Sequence, residues 1–231
     1  MSTLLITGTD SGVGKTWIGR ALGHALAAAG RRVVAIKPVE TGCADATASF
    51  EDGALLAAAT GQAEPLSALY RFPGPLAPAL AAEAAGEAID LDTMLLRLEA
   101  LSAGAELILV EGVGGLLVPM TWEWTVVDLA RALGAPALVV AVDRLGTINH
   151  TLLTLGALEL AGLEVAGVVL TTPETPDPSA GTNAAAIARL AGIDRIVTVP
   201  RLADPAAASR EIQPIIGWIP LSISSAAGPG G

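Results

Sequence analysis

The chain has 231 residues, 52% of them hydrophobic and only 3% aromatic, so it can bury a sizeable core built from Ala, Leu, Val and Ile. Its 13 cations against 23 acids leave a net charge of −10, which argues against a nucleic-acid surface because phosphate backbones require a basic face. One cysteine, Cys43, excludes an intrachain disulfide and fits a cytoplasmic setting.

The first apolar run, residues 4–7, predicts a strand, and the apolar spacing of 16–29 predicts a helix that Gly30 stops. Between them stands Gly8-Thr9-Asp10-Ser11-Gly12-Val13-Gly14-Lys15-Thr16. Strand, glycine-rich turn, Lys-Thr and helix in that order make a phosphate-binding loop. Glycines let successive N–H groups turn inward toward an anion. The helix N-terminus adds partial positive charge. Lys15 would reach the terminal phosphates of a nucleotide, and the Thr16 hydroxyl would hold Mg2+. Thr9 stands where the strict motif has its first glycine, which is a deviant form of the loop.

A second strand is predicted over 33–36. It is followed by Lys37-Pro38-Val39-Glu40-Thr41-Gly42. Pro38 favours an extended Lys37 that leaves the sheet at its C-terminal edge. Lysine occurs only at positions 15 and 37, so its retention beside phosphate chemistry is informative. As a strand-end surface residue, Lys37 should be replaceable at little cost in stability. A helix over 52–60 starts with Asp52, which reads equally as a metal ligand or as an acid favoured by the helix dipole. The proline-rich stretch 72–78 reads as a substrate-side loop.

A helix over 91–103 and a strand over 107–110 lead to Glu111-Gly112-Val113-Gly114-Gly115. An acid ending a buried strand beside phosphates is tolerated mainly with Mg2+ between them. Trp122 and Trp124 read as a loop lid, a subunit contact or plain surface. A helix over 125–133 and a strand over 137–142 precede Leu145-Gly146-Thr147-Ile148-Asn149-His150, which opens a helix to residue 160. Free N–H groups there could bind a carboxylate, with Thr147 as the ordinary cap and His150 structural. Strands over 165–170, 196–199 and 215–219, with a helix over 184–191, complete the pattern.

Continuous β-branched strands alternating with helices imply an α/β fold: a doubly wound, mostly parallel sheet of about seven strands, like P-loop NTPases. One domain is expected over 1–223, with a disordered tail over 224–231. The start lacks the features of a signal peptide, and the charge-free stretch 212–231 is too proline-rich to span a membrane.

Together the four blocks resemble the dethiobiotin synthase family, ATP-dependent ligases of biotin biosynthesis, in order and spacing from about residue 3 to 204. The resemblance implies closure of a cyclic urea on 7,8-diaminononanoate from CO2 and ATP. The steps are a carbamate, its attack on the γ-phosphate, and ring closure by the second amine. It implies Lys15 and Lys37 as stabilisers of phosphoryl transfer, and Ser11 and Thr41 as hydrogen-bonding partners of the carbamate. Nucleotide would lie on Gly12, Val13, Gly14, Lys15 and Thr16. Substrate would lie on Thr9, Lys37, Thr41, Gly112 and, across a homodimer interface, the amides of Gly146, Thr147, Ile148 and Asn149. Thr16, Asp52 and Glu111 would hold Mg2+. Many relatives read adenine with an Asn where this chain has Thr171, so the base site would fall to Thr171 with Pro200, Leu202 and Asp204, and selectivity for ATP should relax. Two other classes are weighed. A partition-type switch ATPase would carry a lysine at the position of Asp10 and a docking surface. A cobyrinate-type amide ligase would carry a further glutamine-hydrolysing domain.

Overall fold

The computed structural model describes residues 2–43 and 49–219. Six parallel strands form the main sheet: β1 (Ser2–Gly8), β2 (Val33–Ile36), β5 (Leu107–Glu111), β6 (Ala137–Val142), β7 (Val165–Thr171) and β8 (Ile196–Val199). Their spatial order is β2-β5-β1-β6-β7-β8. The chain steps from β1 outward to one side for β2 and β5, and to the other for β6 onward. The crevice beyond the C-terminal end of β1 is therefore the switch point where ligands of such sheets bind. Two three-residue strands, β3 (Val39–Thr41) and β4 (Tyr70–Phe72), pair in parallel outside this sheet. They are too short to stand out from loop composition.

Period-2 alternation splits the core into two layers. Leu5, Ile108, Val110 and Val139 face α4 (Leu91–Leu101), α5 (Val126–Leu133), α6 (Thr147–Leu160) and α7 (Asn183–Ala191). Leu4, Ile6, Leu107, Leu109 and Val140 face α1 (Lys15–Ala28), α2 (Asp52–Thr60) and α8 (Gln213–Trp218). The remaining helix, α3 (Pro78–Ala85), packs on β3 and β4.

One expected strand is wrong. Residues 215–219 belong mostly to α8, not to a seventh strand. Pro214 sits in the first turn of that helix, where its missing N–H costs nothing. Ile212, Ile215 and Ile219 are buried while Gly217 is exposed, a helical spacing that the apolar run concealed. The 72–78 stretch is partly strand β4 and runs beside Gly42, whose N–H donates to Gly74 O at 3.1 Å. The tail expected over 224–231 lies outside the described residues. Among the described residues no helix is long and apolar enough to cross a membrane.

Candidate active site

The β1–α1 loop lies across the switch point. Gly14 caps α1 with φ 102°, a left-handed conformation that favours glycine. A Cβ there would also come within 3.0 Å of Thr171 Cγ2. No side chain caps α1, so its first N–H groups stay available to an anion. Lys15 opens the helix, and its Nζ donates to Asp10 O at 2.9 Å, folding the side chain over its own loop. Burial, helped by the nearby Lys37 charge, lowers the Lys15 pKa to about 8. Nearly half of this ammonium is therefore lost at mild alkaline pH unless an anion restores it.

Glu111 ends β5 in the pleat position shared with Leu107 and Leu109, so its side chain faces α1. Its Oε1 accepts from Thr16 Oγ1 at 2.9 Å and from Lys37 Nζ at 2.5 Å. The Lys37 ammonium also reaches Asp52 Oδ2 at 2.9 Å and Gly112 O at 3.3 Å. Lys37 is 4% exposed and Glu111 1%. This corrects the expectation of a surface lysine: Lys37 is the buried centre of an ion-pair cluster. Pro38 turns the chain just after it, and the sheet's pairing of β2 with β5 sets Lys37 beside Glu111.

Burial disfavours the Lys37 charge, but Glu111 and Asp52 outweigh it and hold the ammonium above its ordinary range. Burial pushes the Glu111 carboxyl up, against the pull of Lys37. Asp52 ends below its usual range because Lys37 overcomes its desolvation. Glu111 Oε2 is buried with no partner. It lies on the side of Gly19, where an added Cβ would meet Leu56 Cδ2 at 2.7 Å, so only glycine lets α1 approach α2 this closely.

Of the two readings the sequence allowed for Asp52, the structure bears on the helix-start acid. It opens α2, and it pairs with Lys37. The amides of Asp52 and Gly53 are capped instead by Glu40, whose Oε1 and Oε2 accept them at 2.6 and 3.0 Å. Sequence reasoning gave Glu40 no role, because a cap supplied from a separate strand leaves no local signature. Glu40, Cys43 and Glu51 come within 4.8 Å of one another. These acids are already used, Glu40 on α2 and Glu51 in a two-pronged bond to Arg71 at 2.6 and 2.7 Å. Burial pushes the Cys43 thiol up to about 11, so it is inert.

These groups line a cleft of about 420 Å³ that contains Ser11, Gly12, Gly14, Lys15, Thr16, Lys37, Thr41, Asp52, Glu111, Arg20 and Arg201. Thr9 lies at the foot of the loop, its N–H on Val140 O at 3.0 Å, and Val13 is buried beneath it. Gly112 holds Lys37 through its carbonyl.

The expected base-reading group is arranged differently. Thr171 is buried, and its hydroxyl donates to Val13 O at 2.8 Å. It ties the phosphate loop to β7 and leaves no donor free for a base. Asp204 turns its carboxylate onto Ala206 N at 3.0 Å, capping the short 3-10 helix Pro205–Ser209. Leu202 offers its carbonyl to Trp17 Nε1 at 2.9 Å. Pro200 is exposed at the end of β8, and only Arg201 of this stretch lines the cleft.

Gly146, Thr147, Ile148 and Asn149 stand at the start of α6, outside this cleft. The helix is capped by Gly146 at φ 93°, not by Thr147, which is its buried first residue. No side chain caps the turn, and the Thr147 N–H donates to Arg144 O at 3.1 Å. His150 is exposed rather than structural. Trp122 is 68% exposed at the tip of the 119–125 turn, and Trp124 is half-buried.

Comparison with known proteins separates the readings. The family described as an AAA domain matches residues 2–209. The chain is 46% identical over 220 residues to the ATP-dependent dethiobiotin synthetase BioD of Anaeromyxobacter dehalogenans (strain 2CP-C), covering 94% of this chain and 97% of that protein. It is 45% identical over 200 residues to that of Mycobacterium avium (85% and 87% covered). It is 41% identical over 201 residues to that of Aquifex aeolicus (87% and 90% covered). Among solved structures, a putative plasmid partition protein of Borrelia burgdorferi bound to AMPPNP superposes with a TM-score of 0.58 at 13% identity (94% and 97% covered). The MinC:MinD cell division complex of Aquifex aeolicus gives 0.55 at 15% (92% and 88% covered). These two share the fold alone.

Proposed function

The chain belongs to the ATP-dependent dethiobiotin synthetase family, and from that premise we propose how its cleft closes a cyclic urea on 7,8-diaminononanoate with CO2 and ATP. The observation that carries this reading is the convergence of both lysines of the chain, Ser11, Thr16 and Thr41 on one cleft of about 420 Å³. The partition-type and amide-ligase alternatives lose to the curated relatives, whose match runs almost end to end.

One substrate amine adds to CO2, releasing a proton and leaving a carbamate. Ser11 and Thr41 hydroxyls donate to its oxygens, and Lys37 neutralises its charge. A carbamate oxygen attacks the γ-phosphorus and the bond to the β,γ-bridging oxygen breaks, giving ADP and a carbamic–phosphoric anhydride. The second amine attacks the carbonyl carbon, expels phosphate and loses a proton, and the ring is closed. Phosphoryl transfer of this kind needs position and positive charge more than covalent help. At an effective dielectric of about 20, one cation ~4 Å from a unit negative charge contributes roughly 4 kcal/mol. Lys15 and Lys37, both buried, are placed to supply two such terms.

The donor set of Thr16, Asp52 and Glu111 is all oxygen and suits Mg2+. Mg2+ would screen the phosphate oxygens and favour loss of ADP. The Lys37 ammonium now joins the two carboxylates, so it would shift toward the carbamate as the ion and nucleotide enter.

We take residues 1–223 as one domain of a cytoplasmic enzyme. The uncapped start of α6, with exposed Leu153 and Leu160 farther along it, supports a homodimer that brings Gly146–Asn149 to the substrate carboxylate of the other subunit. The test is to incubate the protein with diaminononanoate, 13C-bicarbonate, ATP and Mg2+ and follow the cyclic urea by mass spectrometry. Labelled product is expected. Its absence, with ATP hydrolysed all the same, would favour a switch ATPase.

A further inference from the structure

Lys15 and Lys37 do not exhaust the cations of the cleft. Arg20 and Arg201 also line it. Neither makes a hydrogen bond or ion pair among the described residues. The Arg20 Nε is nevertheless enclosed and unpartnered. A buried donor left unmade costs about 1–3 kcal/mol, so this site is incomplete without an acceptor.

The local geometry says where that acceptor lies. Arg20 is one turn after Thr16 on α1, and helical side chains lean toward the N-terminus of their helix. The Arg20 guanidinium is thus carried back toward the phosphate loop. Trp17, three residues before it and on the same side, donates to Leu202 O and ties the 200–204 stretch to α1. Arg201 is the residue next to that anchor. Arg20 and Arg201 are thus both neighbours of the Trp17–Leu202 tie, and Trp17 lines the same cleft with them.

We propose that Arg20 and Arg201 form a guanidinium pair that grips the non-transferred phosphates of the nucleotide. The proposal rests on nucleotide binding in this cleft, as argued above. The two lysines are committed to the transferred phosphoryl group and the carbamate. The inner phosphates are the negative charge that remains, and they lie toward the base side, where Arg201 stands. A guanidinium presents a planar fork that matches two phosphate oxygens at once. Such a contact is blind to the base. It would hold a nucleotide without help from Thr171, whose hydroxyl is spent on Val13 O.

Calorimetry of the full chain with ADP and with CDP tests this, using Arg20→Met, Arg20→Lys and Arg201→Met. Wild type should bind ADP. Each methionine variant should weaken ADP roughly tenfold, as loss of a charge-assisted bond implies, and weaken CDP by the same factor. Arg20→Lys should fall between wild type and Arg20→Met. Melting without nucleotide should show no loss of stability in any of the three, and a small gain in Arg20→Met, which removes the unmade buried donor; this separates lost binding from lost structure. If Arg20→Met fails to fold, Arg20→Lys and Arg201→Met still decide. Dissociation constants for ADP within twofold of wild type in both single-site series would overturn the pair, and so would a loss seen with ADP but not CDP. A wild type that binds neither nucleotide would instead overturn the nucleotide reading beneath it.

Discussion

Two buried acids, one on each side of β1, are satisfied in opposite ways. Asp143 follows β6 and is 2% exposed. Its Oδ1 accepts from Asn183 Nδ2 and its Oδ2 from Gly181 N, both at 2.7 Å. Every oxygen is used, the partners are neutral, and the result is a closed clasp holding the 177–183 segment against the end of β6. Glu111, at the end of β5, meets two charged or polar donors on Oε1 and none on Oε2. Around it the Lys15 pKa is lowered to about 8 by burial and the Lys37 charge, and the Arg20 Nε is unpartnered. A complete network fixes a backbone, whereas an incomplete one keeps charge and donors ready for a ligand.

The largest contrast should come from Lys37→Met. It removes the cation at the centre of the open cluster and should lower turnover by at least about a thousandfold, as a loss of ~4 kcal/mol implies. It also strands Glu111, so melting should show a cost of about 3–5 kcal/mol. Adding Glu111→Gln should restore much of the stability and none of the activity. A Lys37→Met enzyme with near-normal turnover would remove Lys37 from the chemistry.

On the closed side, Asp143→Ala takes the carboxylate acceptor from the Gly181 amide and from Asn183 Nδ2, which keeps only its longer contacts to Ser179. Chemical denaturation should show a loss of about 1–3 kcal/mol. Nucleotide affinity, measured on the same protein, should stay within about threefold, since a 0.6 kcal/mol change corresponds to roughly that factor. Equal damage to nucleotide binding would mean that the two networks are coupled through β1.

Base selectivity should follow from the same division. With the Thr171 hydroxyl held by Val13 O, no direct amide-like reader faces the base from β7. CTP and GTP should support turnover within about tenfold of ATP, the span of 1.4 kcal/mol. Steady-state kinetics with each nucleotide decide it, and a hundredfold preference for ATP would show a reader elsewhere.

The smallest effect concerns protons. The Lys15 pKa of about 8 lies below its ordinary value because burial and Lys37 disfavour the charged form. A phosphate beside it favours that form, so the bound-state pKa rises and nucleotide binding near pH 8 should take up a fraction of a proton. Affinity should then fall as pH climbs past 8. Calorimetry in buffers of different ionisation heat measures the uptake. It should vanish in Lys15→Met at saturating nucleotide, and a binding reaction that releases protons instead would reverse the assignment.

Much of this was legible in the sequence. The phosphate loop, the six strands of the main sheet along the chain and the placing of Lys37 and Glu111 at strand ends beside one crevice follow from short contiguous motifs. The depth of Lys37 was not, because burial depends on which strand pairs with β2. Nor was the diversion of Thr171 to Val13 O, a bond across 158 residues of chain. The apolar run 215–219 reads as strand or helix alike, and only the placement of Ile212, Ile215 and Ile219 on one side decides it. Arg20 and Glu40 escaped notice because an arginine on a helix, or an acid in a three-residue strand, carries no pattern.

The central claim is that a carbamate oxygen attacks the nucleotide in this cleft, and isotope transfer tests it most directly. Wild-type enzyme is given 18O-labelled bicarbonate, ATP, Mg2+ and diaminononanoate for a single turnover, before label exchanges with water. The released phosphate should carry one 18O, delivered when the second amine expels it from the anhydride. Phosphate free of label beside newly formed cyclic urea would contradict the account.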